Sequence, residues 1–396
     1  MTKEVPPMRQ AIAQELFFTP AEFEVRLAKI RAGMEKRGID TLLCAGPENI
    51  YYGSGYQTFG FHNYQLLVIP LAAAPFLILR YLESIQAWRY SWVRGVVAWD
   101  DTEDPVAATI RELKTRGLAD GRIGTEDNAY FFQVATWKKL RDGLSSLANA
   151  SGTVEAVRAV KSPQELAYMR EAARLTDLGM AAAIAEIREE RTDNDVAAAA
   201  FDAMTRAGAE WLTRDPIVTS GDRSGLPHTC YMRQKLRQGD AVLLEFSGVH
   251  HRYYAPMMRG AIVGRAGADE ASPGIERMAE VCIEGLNAAL AAVRPGATSA
   301  DVDRAARSVI ERAGLWENYR KRSGYSVGSG FSSWVEGGVA SLREDDPTVL
   351  APGMCFHIPI ALRRYGEAGV GFSETVVVTD QGVEVLGKTP RELARR

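Results

Sequence analysis

The segment GDAVLLEFSGVHHRYYAPMMRGAIVG, residues 239–264, decides the fold. It contains two apolar runs, AVLLEF and MMRGAIV, joined by a polar stretch around His250 to Arg252. Apolar runs of this length bounded by turn residues read as paired strands, not as a helix. Each run carries one charged residue, Glu245 and Arg259. A charge inside a buried run is costly unless it is paired or used. On both sides of the pair the pattern changes to helical. Upstream, Lys161-Ser162-Pro163 turns the chain and Pro163 suits a first helical turn. A long helix is predicted from Gln164 to about Arg188, rich in alanine and methionine, and a second over residues 193–207. Downstream, helices are predicted over residues 274–293 and 299–313, then strands over 354–362 and 371–379. The order helix, helix, strands, helix, helix, strands describes an α+β domain built from two similar halves.

Residues 1–155 read differently. A helix is predicted over residues 20–37, capped by Thr19 and ended by Gly38, with Phe23, Leu27, Ile30 and Met34 at helical spacing. TLLCAG, residues 41–46, is a short buried strand; residues 63–70 and 75–79 are two more. GRIGTE begins another near Arg122, and residues 131–144 resemble a helix. This is a small α/β domain with a mixed sheet. The boundary is expected at residues 151–162, giving domains 1–155 and 156–396.

The chain has 396 residues, is 46% hydrophobic and 24% charged, and has a formal net charge of −3, which is globular composition with no electrostatic pull toward nucleic acid or an anionic membrane. Its four cysteines are scattered without a CxxC pair and read as free thiols of a reducing compartment. The N-terminus lacks the apolar core of a secretory signal, and the apolar stretch 65–79 is too short and too rich in proline to span a bilayer. A cytoplasmic enzyme acting on a small molecule is expected, with no membrane partner and no cofactor.

Six segments in order carry a resemblance: AVKSPQELAYMREAARL, the strand pair of residues 239–264, PGATSADVDRAARSVIERAG, SGYSVGSG, LAPGMCFHIPI and GFSETVVVTDQGVEVL. Together they resemble the pita-bread family of aminopeptidase P, prolidase, creatinase and ectoine hydrolase. GIDTLLCAGPENIYYGSGY, residues 38–56, is similar to the family's first domain. The resemblance implies a creatinase/prolidase-like N-terminal domain, a pita-bread catalytic domain and a homodimer. Metal-dependent members hold two divalent cations with two Asp, one His and two Glu. Those places here hold Glu245, Pro256, Tyr325, Pro359 and Ser373. Hard cations need several converging oxygens, and a lone Glu does not supply them. The replacements resemble the ectoine hydrolase pattern, in which GYP, FHFMP and FFEIAG with Y-x-C-P-x-x-R stand at the same places. Creatinase keeps carboxylates where this chain has Met258 and Pro359. A metal-independent hydrolase of C–N bonds is the implied activity, with a cyclic amidine such as ectoine as substrate. A guanidino compound, another small amide or a non-catalytic binding role stays open, because Ser332-Ser333-Trp334-Val335-Glu336-Gly337 departs from the ectoine hydrolases' P-P-D-W-G-E-like stretch.

By this resemblance His228, in SGLPHTC, shuttles protons; imidazole suits that because it titrates near neutrality. Glu245 acts as base or nucleophile. Glu374 either clamps a cationic substrate or, since strand alternation sets neighbours on opposite faces, turns away. Tyr325 and His357 hydrogen-bond the substrate or fill the vacated space. Tyr254 is grouped with the substrate-binding residues. Arg259 reads as structural. Arg80 could reach a substrate carboxylate across a dimer contact or be a surface arginine. Phe59, with Tyr56 and Phe61, sits in a loop that borders the neighbouring subunit's pocket in the family, where aromatic faces suit a delocalised cation. His250 and His251 read as solvated turn residues, and Cys230 shows no base partner.

Overall fold

The computed structural model describes residues 12–264, 273–319 and 321–396; the rest of the N-terminal segment lies outside them. The chain divides into two compact units, Met1–Arg158 and Ala159–Arg396.

The first unit contains α1 (Pro20–Lys36), β1 (Thr41–Cys44), α2 (Pro47–Ser54), β2 (Leu66–Pro70), β3 (Phe76–Arg80), α3 (Tyr81–Tyr90), β4 (Gly95–Trp99), α4 (Pro105–Thr115), β5 (Ile123–Thr125), α5 (Val134–Gly143), β6 (Leu147–Asn149) and α6 (Thr153–Arg158). Its sheet has the order β4-β3-β2-β1-β5-β6. The pairs β1/β2 and β2/β3 are antiparallel, and β3/β4, β1/β5 and β5/β6 parallel, so the sheet is mixed. Thr19 caps α1, accepting from the Glu22 amide. Helix α5 starts at Val134, three residues later than the pattern predicts. Strand β2 likewise starts at Leu66, not at Asn63.

The second unit contains α7 (Pro163–Glu186), α8 (Asp193–Arg206), β7 (Ile217–Ser220), β8 (Ala241–Phe246), β9 (Val249–His250), β10 (Tyr253–Tyr254), β11 (Met257–Ile262), α9 (Pro273–Ala292), α10 (Ser299–Arg312), β12 (Gly324–Ser326), β13 (Ser341–Leu342), β14 (Cys355–Arg364), β15 (Ala368–Thr379), β16 (Gly382–Val385) and β17 (Ala394–Arg395). Capping boxes start three of its helices: Ser162 with Glu165, Thr192 with Asp195, and Thr298 with Asp301. Its two larger sheets are ordered β17-β11-β8-β7 and β13-β12-β14-β15-β16, and β9 and β10 pair as a separate two-stranded ribbon. Helices α7 and α8 pair with each other, and so do α9 and α10. The core under α9 and α10 takes Ile358, Ile360 and Leu362 of β14; the core around α7 and α8 takes Val242, Leu244 and Phe246 of β8. Each strand thus spends one face on a helix layer and keeps the other for the space between the sheets. The two helix-pair-then-strands halves predicted from the pattern are present. Among the described residues no helix is long and apolar enough to cross a membrane.

The turn after β9 was expected to be solvated. Instead His250 and His251 are half-buried and pack against Tyr168, with ring centroids 5.4 and 4.6 Å away. His251 and Arg252 have φ of 48° and 65°, a two-residue left-handed turn that folds the histidines back onto α7.

Candidate active site

A cavity of about 470 Å³ opens on the inner face of both sheets. Alternation selects its lining. On β8, Leu243 and Glu245 face it while their neighbours enter the helix-side core. Met258 of β11 pairs directly with Glu245. On β14, Pro359 and Arg363 face the cavity, four residues apart. Leu243, Met258 and Ala361 pack together as an apolar patch with Ile217. His228 and Leu226 come from the loop after β7, and Lys321, Arg322 and Tyr325 from β12 and the segment before it. Trp334 comes from the following loop.

Glu245 is the sole carboxylate in this lining. Its carboxyl makes no hydrogen bond among the described residues. Burial raises its pKa, opposed by the positive charges of Arg363, Lys321 and Arg214. His228 is exposed at the cavity's edge and has φ of 56°. A left-handed backbone at a residue other than glycine costs about 1 kcal/mol, and such strain recurs at functional sites. Tyr325 pairs with His357 across β12 and β14. That close pairing needs Gly324, since a Cβ there would lie 2.6 Å from the His357 carbonyl oxygen.

His357 does not reach the cavity. It lies behind Tyr325, fully buried, with Nδ1 2.8 Å from the Tyr325 hydroxyl and Nε2 2.6 Å from Ser373 Oγ. Ser373 Oγ also accepts from the Met258 amide at 2.6 Å. Trp334 Nε1 donates to the Tyr325 hydroxyl at 3.0 Å. Hydrogen-bond accounting fixes the protons. If His357 carried its proton on Nε2, the buried Ser373 hydroxyl would have no acceptor among the described residues. With the proton on Nδ1, Ser373 donates to Nε2, and His357 and Trp334 both donate to the Tyr325 oxygen. The Tyr325 proton is then left to donate into the cavity. Burial, with the nearby charges of Lys321 and Arg259, holds the His357 pKa well below its usual value, so the ring is neutral. Burial and Glu245 raise the Tyr325 pKa, so its hydroxyl keeps the proton.

Five expected site residues are placed elsewhere. Glu374 is not in the cavity lining. The alternation that turns Ser373 toward His357 sends Glu374 to the other face, where it meets Arg259 Nη2 at 2.8 Å. The clamp position expected for it in this cavity is not where the structure places it. Tyr254 is buried away from the cavity; Arg252 Nη2 donates to its hydroxyl at 2.5 Å, and Arg252 stacks over Trp211 at 3.6 Å. His357 hydrogen-bonds Tyr325 and is not in the cavity lining. Arg80 and Phe59 belong to the first unit: Arg80 forms a bidentate pair with Asp101 at 2.6 Å, and Phe59 is 72% exposed.

Lys321, Arg322, Arg363, Arg214 and Trp334 were not anticipated. Arg363 was legible, since it stands four residues after Pro359 on one strand and so shares its face. Lys321 and Arg322 precede the Tyr325 motif, yet a basic pair in a loop more often faces solvent. Arg214 carries no local signal. The departing segment 332–337 is explained in part: Trp334 bonds Tyr325, whereas Glu336 turns inward to Lys161 at 2.5 Å, with both side chains 1% exposed.

The family's metals can be tested against these atoms. Of the five places, only Glu245 has an anionic oxygen. The Pro256 carbonyl accepts from Thr375 Oγ1, Pro359 has no donor side chain, and the Tyr325 and Ser373 oxygens are committed to His357. Among the described residues no three His, Cys, Asp or Glu converge. The residues do not fit a pair of divalent cations.

The comparisons agree with this architecture. Residues 167–380 match the model of metallopeptidase family M24, and residues 26–160 match the creatinase/prolidase N-terminal domain. The chain is 29% identical to the ectoine hydrolase of Halomonas elongata over 96% of this chain and 99% of that one. It is 27% identical to a Xaa-Pro dipeptidase of Pyrococcus furiosus over 93% and 99%. The crystal structure of the dipeptidase PepE from Mycobacterium ulcerans superposes with a TM-score of 0.82 at 27% identity, covering 96% of this chain and 99% of that one. The chain belongs to metallopeptidase family M24, a hydrolase family with the pita-bread fold, and carries the creatinase/prolidase N-terminal domain ahead of it.

Proposed function

We propose that this protein is a metal-independent hydrolase of a C–N bond in a small cyclic amidine, ectoine- or hydroxyectoine-like, opening the ring to an N-acetyl diamino acid. The observation that carries the reading is the row Trp334–Tyr325–His357–Ser373. It fills two former ligand places with a satisfied network that presents one hydroxyl proton to the cavity. A decayed site would have no reason to keep such a row satisfied. The similarity to the Halomonas elongata ectoine hydrolase supports the substrate class.

In this mechanism Glu245 takes a proton from water, and the water oxygen attacks the amidine carbon. A raised carboxylate pKa suits a base working near neutrality. Tyr325 donates to the oxygen of the tetrahedral intermediate, in the manner of an oxyanion-hole donor. As the ring C–N bond breaks, the leaving nitrogen takes its proton from His228 at the cavity's edge. The products are an amide and an amine, which balances the addition of one water. Ectoine and hydroxyectoine turnover by protein stripped of metal with a chelator tests the reading. No turnover, or turnover restored only by added manganese, would sink it. A creatinase-like reaction on a guanidino acid is the second reading, kept because residues 332–337 depart from the ectoine hydrolase pattern, so creatine belongs in the same assay. The dimer belongs to the proposal too: Phe59 and Arg80 of one copy would border the pocket of the other. Sedimentation as a monomer at assay concentration would remove that part.

A further inference from the structure

The cavity holds four cationic side chains, Arg214, Lys321, Arg322 and Arg363, against the one carboxylate of Glu245. None of the four is in an ion pair among the described residues. Their other contacts differ. Arg322 donates to Ser341 Oγ at 2.7 Å and lies over the Tyr325 ring. Arg214 lies over the Trp334 ring. Lys321 donates to the Pro359 carbonyl. Arg363 has no side-chain hydrogen bond among the described residues, and its Nε is buried without a partner. A guanidinium with a buried unpaired donor is expensive to keep. The more deeply buried Arg259, by contrast, donates to Glu374 and to four carbonyls.

We infer that Arg363 and Lys321 form a carboxylate-binding subsite, so that the ligand of this cavity is an organic acid whose carboxylate seats between them. The planar fork of Arg363 suits bidentate recognition of a carboxylate, and Lys321 adds a point charge beside it. Arg214 and Arg322, nearer solvent, draw anions toward the opening. Glu245 stays free of the carboxylate by repulsion, which orients the ligand with its acid group on β14 and its scissile end toward Glu245 and Tyr325. The subsite concerns the same cavity as the hydrolase reading and names the half of the substrate that does not react. The two can fail separately, because binding is measured here without turnover.

The probes are glutarate and its uncharged diamide, glutaramide, which have the same shape and differ in charge. Calorimetric titration of the full chain should show glutarate binding at least about tenfold more tightly than glutaramide, the effect of one desolvated charge pair. The preference should shrink as sodium chloride is added. Arg363→Met should abolish the preference, and Arg363→Lys should keep part of it. Equal binding of the two probes overturns the subsite, as does failure of glutarate to bind at millimolar concentration. So does an Arg363→Met protein that retains the preference within twofold. Should Arg363→Met fail to fold, the probe pair on the unaltered protein and on Lys321→Met decides the matter by the same criteria.

Discussion

Two arginines, Arg259 on β11 and Arg363 on β14, occupy opposite regimes. Arg259 is 1% exposed and fully engaged, with Glu374 at 2.8 Å and the carbonyls of Met258, Ser373, Thr389 and Pro390 around it. Arg363 faces a cavity with its Nε unsatisfied. The first tethers the segment after β16 to the sheets. The second keeps charge available. At Arg259, where the charge is structural, all three guanidinium nitrogens are hydrogen-bonded. At Arg363, whose Nε is unpartnered beside the cavity, the missing partner is to be sought in a ligand.

The largest expected effect separates the two arginines directly. Arg259→Met should lower stability by about 3–5 kcal/mol, because it strands the buried Glu374 carboxylate. Arg363→Met, which removes an unpaired buried donor, should leave the melting temperature unchanged or raise it. Thermal melts of both variants check this; similar losses would erase the distinction. Glu245→Gln should lower kcat for ectoine by about 10³-fold, the scale of a lost general base, while the fold is kept. Circular dichroism beside the rate measurement separates those outcomes. Tyr325→Phe should lower kcat by about 10²-fold with little change in KM, as loss of one donor to a developing oxyanion does; a change confined to KM would show that the hydroxyl only binds.

The smallest effect is in pH. Burial and the neighbouring Arg363 push the Lys321 pKa down to about 7, with Arg322 adding to the shift while Glu245 and Cys282 oppose it. A carboxylate subsite needs Lys321 charged, so affinity for glutarate should fall as pH rises through about 7. Glu245 must lose its proton to act as base, so kcat should rise through its raised pKa, and kcat/KM should be bell-shaped. The stability term has the opposite direction to the affinity. Between about 7 and the ordinary value of 10.5 the unfolded chain binds the proton that the folded one lacks. Stability therefore rises with pH across that window and is lost as pH falls through about 7. A melting temperature that decreases from pH 7 to 9 would contradict the burial of Lys321.

Much of the second unit was legible because its signals are local. The capping boxes at Ser162, Thr192 and Thr298 mark helix starts in three or four residues, and apolar runs mark β8, β11, β14 and β15. The replacements at Pro256 and Pro359 were equally plain, since proline has no side-chain ligand whatever the fold. Glu245 stood out as an acid in an apolar run. Glu374 was ambiguous for a definite reason: a shift of one residue in a strand exchanges its two faces. Only the register Pro359↔Ser373 and Ile358↔Glu374 assigns it. Tyr254 failed for a similar reason, because its partner Arg252 is fixed by a left-handed turn that the residues His251 and Arg252 do not announce.

By itself, then, the sequence determined the elements, their order, the family and the replacement of four of the family's five ligand places, because each depends on residue type at a place in the chain. Tertiary structure alone decided which polar groups share one cavity. Lys321, Arg363 and Arg214 come from separate segments, and their convergence on Glu245 depends on two sheets closing over a common space. The protonation of His357 was likewise beyond local reading. It follows from four side chains spread over residues 325–373, each of which has one hydrogen-bonding choice only when the others are in place.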